Sequence, residues 1–268
     1  MTITHDLISC WRQCKLESPP YLFHNDNLDK VNGHIKTRET FKEYISKAEY
    51  GLSHDTILHT GLLPVPFICD LEKASIYILM LNPGFSPSDY FAEQHSPDFR
   101  NAVIRNLRQE NGNDEYPFFG LNPQFAWHPG FEYWQKKFDS IIRKIAEQPG
   151  CTYQNAMSKL AKNIACLELL PYHSKSFGAG ALLKSLPSVE VMRKFVREIL
   201  IPRAKDGTAI IIVTRGVNSW KLPKFVDNDY DHVIIYKGSE ARAASLSKGS
   251  RGGKAICNQL NLISEKLC

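Results

Sequence analysis

Apolar and polar positions alternate between two periods along this chain. From residue 64 onward, short continuous apolar runs are separated by stretches with helical spacing. The runs at residues 65–69, 75–81, 164–170, 208–213 and 232–236 are too short for buried helices and are rich in Ile, Val and Leu. They predict strands buried on both faces. Residues 99–109, 153–162, 188–201 and 252–266 predict helices between them, with Ser188 as an N-cap and Glu190 in the first turn. Residues 116–134 hold eight aromatics in a loop that runs into a helix reaching residue 147. Strands alternating with helices predict an α/β fold, three-layer α/β/α, around a central, mostly parallel four-stranded sheet. The run at 65–69 is expected to pair with 75–81 across a turn at 70–74. Residues 1–63, with helical stretches at 6–15 and 38–49, are expected to form a peripheral helical extension of one domain covering 1–268.

The second predicted strand ends abruptly in Asn82-Pro83-Gly84. Pro83 fixes its own φ and biases Asn82 away from the helical region, while Gly84 lets a ligand approach the backbone. In open α/β sheets, ligands bind beyond the carboxyl ends of the strands. Four loops are expected at that edge: 82–90 with Asn82 and Phe85, 171–180 with Tyr172 and His173, 214–220 with Arg215, and 238–251. The last is rich in Ser, Gly, Lys and Arg, and its backbone amides, with the helix that follows, suit phosphate.

Composition narrows the class of protein. Of 268 residues 43% are hydrophobic and 23% charged, as in ordinary globular chains. No apolar stretch approaches the roughly 20 residues that span a bilayer. With no signal-peptide core near the start, a cytoplasmic monomer is expected. Seven cysteines, including the final Cys268, are scattered without zinc-like spacing and read as thiols in a reducing compartment. No metal and no cofactor is expected. From residue 201 to 268 eleven Lys or Arg face six acids, and this excess equals the whole chain's net charge of +5. A basic stretch of this kind suits nucleic-acid phosphates.

Three segments together resemble the uracil-DNA glycosylase superfamily, most closely its mismatch-specific and single-strand-selective branches. Residues 81–84 match a first motif that ends Asn-Pro-Gly after a buried strand. Glu168-Leu169-Leu170-Pro171 stands where that family has a base-reading strand, and residues 245–249 stand where it has its last motif before a C-terminal helix. The resemblance covers about residues 64–268 in order of elements. It implies a monofunctional glycosylase that flips a base from DNA and hydrolyses its glycosidic bond. Asn82 would position the attacking water, and Pro83 and Gly84 would line the substrate. Phe85 or Phe119 would stack on the extruded base, with Tyr172 nearby. Ser245, Ser247, Lys248, Gly249, Ser250 and Arg251, with Arg215 and Arg242, would meet DNA phosphates.

Two departures redirect that expectation. Glu168 replaces the family's base-reading Asn; an ionised carboxylate only accepts, which suits the exocyclic amine of cytosine rather than uracil O4. The last-motif His is missing, with Ser245 in its place, and His173, Arg215 or Arg242 could stabilise the leaving base instead. Both fit glycosylases of this superfamily that excise heavily modified cytosine, such as glucosylated hydroxymethylcytosine, from phage DNA as an antiviral defence. The alternatives are a uracil or mismatch repair glycosylase and a non-catalytic DNA-binding module. A small-molecule nucleoside hydrolase would act on free nucleosides with little salt dependence. A phosphate-binding loop at residues 249–254 fails, because Lys248 stands where Gly is needed and Ala255 where Ser or Thr is needed.

Overall fold

A computed structural model describes residues 3–28, 35–48, 50–52, 54–223 and 232–262. In chain order the elements are α1 (Ile3–Arg12), β1 (Thr37–Arg38), α2 (Phe41–Ile45), β2 (Leu58–His59), β3 (Phe67–Ile68), β4 (Ile76–Met80), α3 (Pro87–His95) and α4 (Pro97–Arg108). Two 3-10 turns, Phe119–Leu121 and Pro123–Phe125, precede α5 (Pro129–Ala146), α6 (Tyr153–Ala161) and β5 (Ile164–Glu168). Then come a 3-10 turn (Leu182–Lys184), α7 (Pro187–Phe195), a π-helical turn (Val196–Leu200) and α8 (Ile201–Lys205). The rest is β6 (Ile210–Val213), α9 (Val217–Trp220), β7 (Val233–Ile235), α10 (Gly238–Ala243) and α11 (Arg251–Gln259).

The fold is α/β, and its main sheet has five strands in the order β3-β5-β4-β6-β7. β4 and β6 pair in parallel with Ile76 opposite Ile210, and β6 and β7 in parallel with Ile211 opposite Val233. Every residue of β4, β5, β6 and β7 is buried, as expected of parallel strands covered on both faces. The predicted pairing of residues 65–69 with 75–81 does not form. β5 lies between β3 and β4, so β3 becomes a fifth strand at the sheet edge. Its partner is β5, with Val65 N–H donating to Pro171 O and Glu168 N–H to Pro66 O, an antiparallel pattern. The 70–74 segment instead closes on itself: Asp70 Oδ1 accepts from Glu72 N–H and Lys73 N–H.

The chain divides into two compact units, each built from separated pieces. Unit 1 comprises Met1–Phe67, Leu81–Gly112 and Leu167–Val196; unit 2 comprises Ile68–Met80, Asn113–Cys166 and Arg197–Cys268. Residues 1–63, expected to be peripheral, are part of unit 1. Leu7 and Trp11 of α1 are buried, and Asp26 accepts from the hydroxyls of Tyr172 and Ser188. A second, two-stranded parallel sheet joins β1 to β2 in this unit.

Boundaries differ where caps decide them. α7 starts at Pro187 with Leu186 as N-cap, because Pro is pre-shaped for the first helical position and the Ser188 hydroxyl is given to Asp26. The second half of the expected 82–90 loop instead opens α3: Ser86 N–H donates to Asp89 Oδ2 across the first turn, and Pro87 leads the helix. α11 begins after Ser250, whose hydroxyl accepts from Gly253 N–H. The predicted end of that helix at residue 266, and Cys268, lie outside the described residues. Among the described residues no helix is long and apolar enough to cross a membrane.

Candidate active site in the Asn82 loop

β4 and β5 leave the sheet side by side and their following loops are laced together. Leu170 N–H donates to Leu81 O at 2.7 Å, and Ser174 N–H to Pro83 O at 3.2 Å. Asn82 completes the lacing with its side chain. Its Nδ2 donates to Ser174 Oγ at 2.8 Å, Pro83 O at 2.9 Å and Tyr172 O at 3.3 Å. Two of these acceptors are carbonyls and the Ser174 hydroxyl spends its proton on Ser176 O, so the amide can face only one way. Its Oδ1 therefore points away from this lattice and accepts no hydrogen bond among the described residues. A half-buried amide held by its nitrogen presents a fixed acceptor, which is what orienting a water molecule requires.

The rest of the loop splits into a covered and an open side. Pro83 is buried, while Gly84 is exposed, and a Cβ built on Gly84 would meet nothing within 4 Å. The fold itself thus makes no steric demand for glycine here, and the space beside it is open to a ligand.

His173 sits against the same loop, with Nδ1 2.7 Å from Gly84 O and Nε2 3.2 Å from Leu63 O. Carbonyls only accept, so each contact is a hydrogen bond when that ring nitrogen carries the proton. Both nitrogens lie against main-chain carbonyls, so His173 is placed to hold the loop rather than to reach a leaving group. Its backbone carbonyl accepts from His59 N–H at 2.9 Å.

His59 escaped the sequence reading. Fully buried on β2, it stacks on Phe85 with ring centroids 3.5 Å apart and planes 11° apart. Its Nδ1 lies 3.2 Å from Tyr90 Oη, while Nε2 has no hydrogen-bond partner among the described residues. Burial first, then the nearby His173 and Arg38, lower its pKa to about 3 against the opposing pull of Asp89. The ring under Phe85 is therefore neutral. Tyr44 and Tyr90 meet Phe85 edge-on at 5.3 and 6.0 Å, so this half-buried side chain has one ring face already occupied. Nothing in the local sequence around His59 signals this role, since its partners come from α3 and from residues 85 and 173.

Of the other predicted residues in unit 1, Glu168 closes β5, is 4% exposed and donates its N–H to Pro66 O. It shares the β5 exit with the Asn82 lattice. Tyr172 does not serve that side: it is 1% exposed, its hydroxyl donates to Asp26, and that hydroxyl accepts from Phe23 N–H. It is a buried support, and burial together with Asp26 raises its pKa well above the usual tyrosine value.

Unit 2 carries the remaining predicted residues. Phe119 is half-buried in the Phe119–Leu121 turn. Arg215, Arg242, Lys248, Gly249 and Arg251 are exposed, with Ser245, Ser247 and Ser250 half-buried. The expected cradle of free amides is largely spent internally. Lys248 N–H goes to Ser140 Oγ, Ser250 N–H to Ser247 O, Gly252 N–H to Tyr236 Oη, Gly253 N–H to Ser250 Oγ and Lys254 N–H to Ser250 O. Arg251 is paired with Glu240 at 3.0 Å. What this segment offers an anion is side-chain charge, not a nest of amides.

Comparison with protein-family models, with curated proteins and with solved structures gave no match.

Proposed function

We propose that the protein is a monofunctional DNA glycosylase similar to the uracil-DNA glycosylase superfamily, acting on a modified cytosine in foreign DNA. The observation that carries this reading is the one-way clamp on Asn82, which leaves Oδ1 as a fixed acceptor on a loop beyond the end of β4. In the proposed reaction the C1′–N bond breaks with its electron pair leaving on the base. Water held at Asn82 Oδ1 adds its oxygen to the cationic C1′, and its proton leaves to solvent or to the departing base. A neutral amide is a weak base, so the barrier must fall mainly through electrostatic stabilisation of the separating charges. Glu168 would accept from the exocyclic amine of the base. The exposed cations of unit 2, Arg215, Arg242 and Lys248, would meet phosphates, a contribution that falls steeply with salt.

The test is abasic-site formation on uracil-containing, unmodified, hydroxymethylated and glucosylated DNA, with wild type and Asn82→Ala. Product confined to modified-cytosine DNA, reduced about 10²- to 10⁴-fold in the variant while DNA affinity persists, is the expected result. Product on uracil would replace the substrate assignment and keep the reaction. No product on any DNA would leave a non-catalytic DNA-binding protein.

A further inference from the structure

His59 reaches both ends of the Asn82–Phe85 segment. Its ring stacks on Phe85, with centroids 3.5 Å apart and planes 11° apart. Its N–H donates to His173 O at 2.9 Å, an antiparallel bridge between two short segments. The residue after His173 is Ser174, whose hydroxyl takes Asn82 Nδ2 and whose N–H donates to Pro83 O. One fully buried residue thus backs the ring at one end of residues 82–85 and braces the segment that clamps the amide at the other. The contact of Nδ1 with Tyr90 Oη, at 3.2 Å, sets the rotation of the histidine ring.

The neighbouring rings show which side of Phe85 is left for a ligand. Centroid to centroid, Tyr44 lies 4.8 Å from His59 and 5.3 Å from Phe85, and Tyr90 lies 5.7 and 6.0 Å from them. A ring over the far face of Phe85 would be much closer to Phe85 than to His59. Both tyrosines are nearer the histidine, so they flank the stack on its buried side. Tyr44 is itself held, donating to the buried Asp55 carboxylate at 2.8 Å. His59, Tyr44 and Tyr90 are at most 2% exposed, whereas Phe85 is half-buried. What Phe85 exposes is therefore its side away from His59. A ring backed by a parallel ring and flanked by two edge-on ones has little freedom to tilt. A face fixed in this way suits stacking on a base, which any base can satisfy with its own π-face.

We propose that His59 is a positioning residue for base recognition: it holds Phe85 as a preset platform for the extruded base and ties that platform to the Asn82 clamp. Resting on the glycosylase reading, this is tested by binding without turnover. Fluorescence anisotropy compares two labelled oligonucleotides, one bearing the base that yields abasic product and one a stable abasic analogue at the same position. If no DNA yields product, glucosylated hydroxymethylcytosine is the base used. Every protein carries Asn82→Ala, so that nothing is cleaved. Phe85→Ala should weaken binding of the base-bearing DNA about 5- to 150-fold and leave the abasic DNA nearly unchanged. His59→Leu should lose about 2- to 10-fold on the base-bearing DNA alone, and His59→Phe should retain affinity because it keeps the stack. In a Phe85→Ala background His59→Leu should cost nothing further, since His59 acts through that ring. His59→Gln is a second non-aromatic variant that can keep the Tyr90 hydrogen bond, and urea midpoints identify the folded variants. Equal losses on both DNAs, no loss in a folded non-aromatic variant, or additive losses in the double variant overturn the proposal. Abasic-site assays on the same variants with Asn82 restored separate the two ideas. Losses confined to base-bearing DNA without any abasic product sink only the glycosylase reading. Abasic product with affinity indifferent to His59 sinks only the platform.

Discussion

Asn82 and His59 show how the chemistry left to a side chain depends on which of its atoms the backbone has occupied. Asn82 gives its nitrogen to three acceptors and keeps an oxygen. His59 is sealed under Phe85, and its neutrality is part of the stack. The sign of its pH effect follows. A histidine whose folded pKa is depressed contributes stability that is present above the unfolded value and lost as pH falls. For His59 that loss runs from 6.5 down toward 3. Glu93 acts in the opposite sense: burial pushes its carboxyl up to about 8, so its contribution is lost as pH rises from 4.5 through 8. Comparing wild type with His59→Phe isolates the histidine. Thermal melts over the acid range should show wild type losing melting temperature more steeply than the variant, which keeps an aromatic against Phe85 but cannot take up a proton. Parallel acid limbs for the two proteins would mean that His59 is not the group being protonated.

At the scale of elements, the start of α11 shows both what composition reveals and what it hides. Small residues at 245–253 predict amides open to phosphate, but most of these amides are spent within the protein. A Cβ on Gly253 would fall 1.7 Å from Ser247 O, and one on Gly252 2.5 Å from Tyr236 Oη, so these glycines admit the protein's own groups. The backbone carbonyl cannot swing aside as a side chain would. Gly253→Ala should therefore cost about 3 kcal/mol or unfold the segment, whereas Gly249→Ala, with open space at its Cβ, should leave the denaturation midpoint within error. Equal midpoints for the two variants would refute this account of the loop. The same difference limits what could be read from the chain. Apolar runs identified β4, β5, β6 and β7, since burial on both faces writes itself into every residue of a strand. They could not say that β5 would insert between β3 and β4, because pairing is a non-local choice. They missed α3, whose capping signal is Ser86 with Asp89 three residues on and Pro87 between. Asn82 was legible from its loop, but its orientation depends on Ser174 and Ser176, and the His59–Phe85 stack on a strand two residues long.

Across the molecule, the interleaving of segments decides what can be removed. Unit 1 draws its residues from three separated stretches, and the first of them is more than a cover. Leu7, Trp11, Tyr44, Leu58 and Leu62 are all buried. Asp26 takes the Tyr172 hydroxyl along with the Ser188 hydroxyl and N–H, and Leu63 O takes a His173 ring nitrogen. A chain of residues 64–268 keeps all five strands of the main sheet, and on the peripheral-extension reading it would fold. The packing argues otherwise. Without residues 1–63, Tyr172 keeps its buried backbone position but loses its acceptor, and a buried polar group left unpaired costs about 1–3 kcal/mol before any apolar loss is counted. Five large apolar side chains removed from one core, at about 2–5 kcal/mol each, cost about 10–25 kcal/mol, enough to cancel the roughly 5–15 kcal/mol by which domains are usually stable. The truncated protein should thus show no cooperative denaturant transition in unit 1 and no abasic-site activity. Near-UV circular dichroism with a urea titration reads the first outcome directly. A cooperative transition with the slope expected of residues 64–268 would show that the N-terminal segment is dispensable after all.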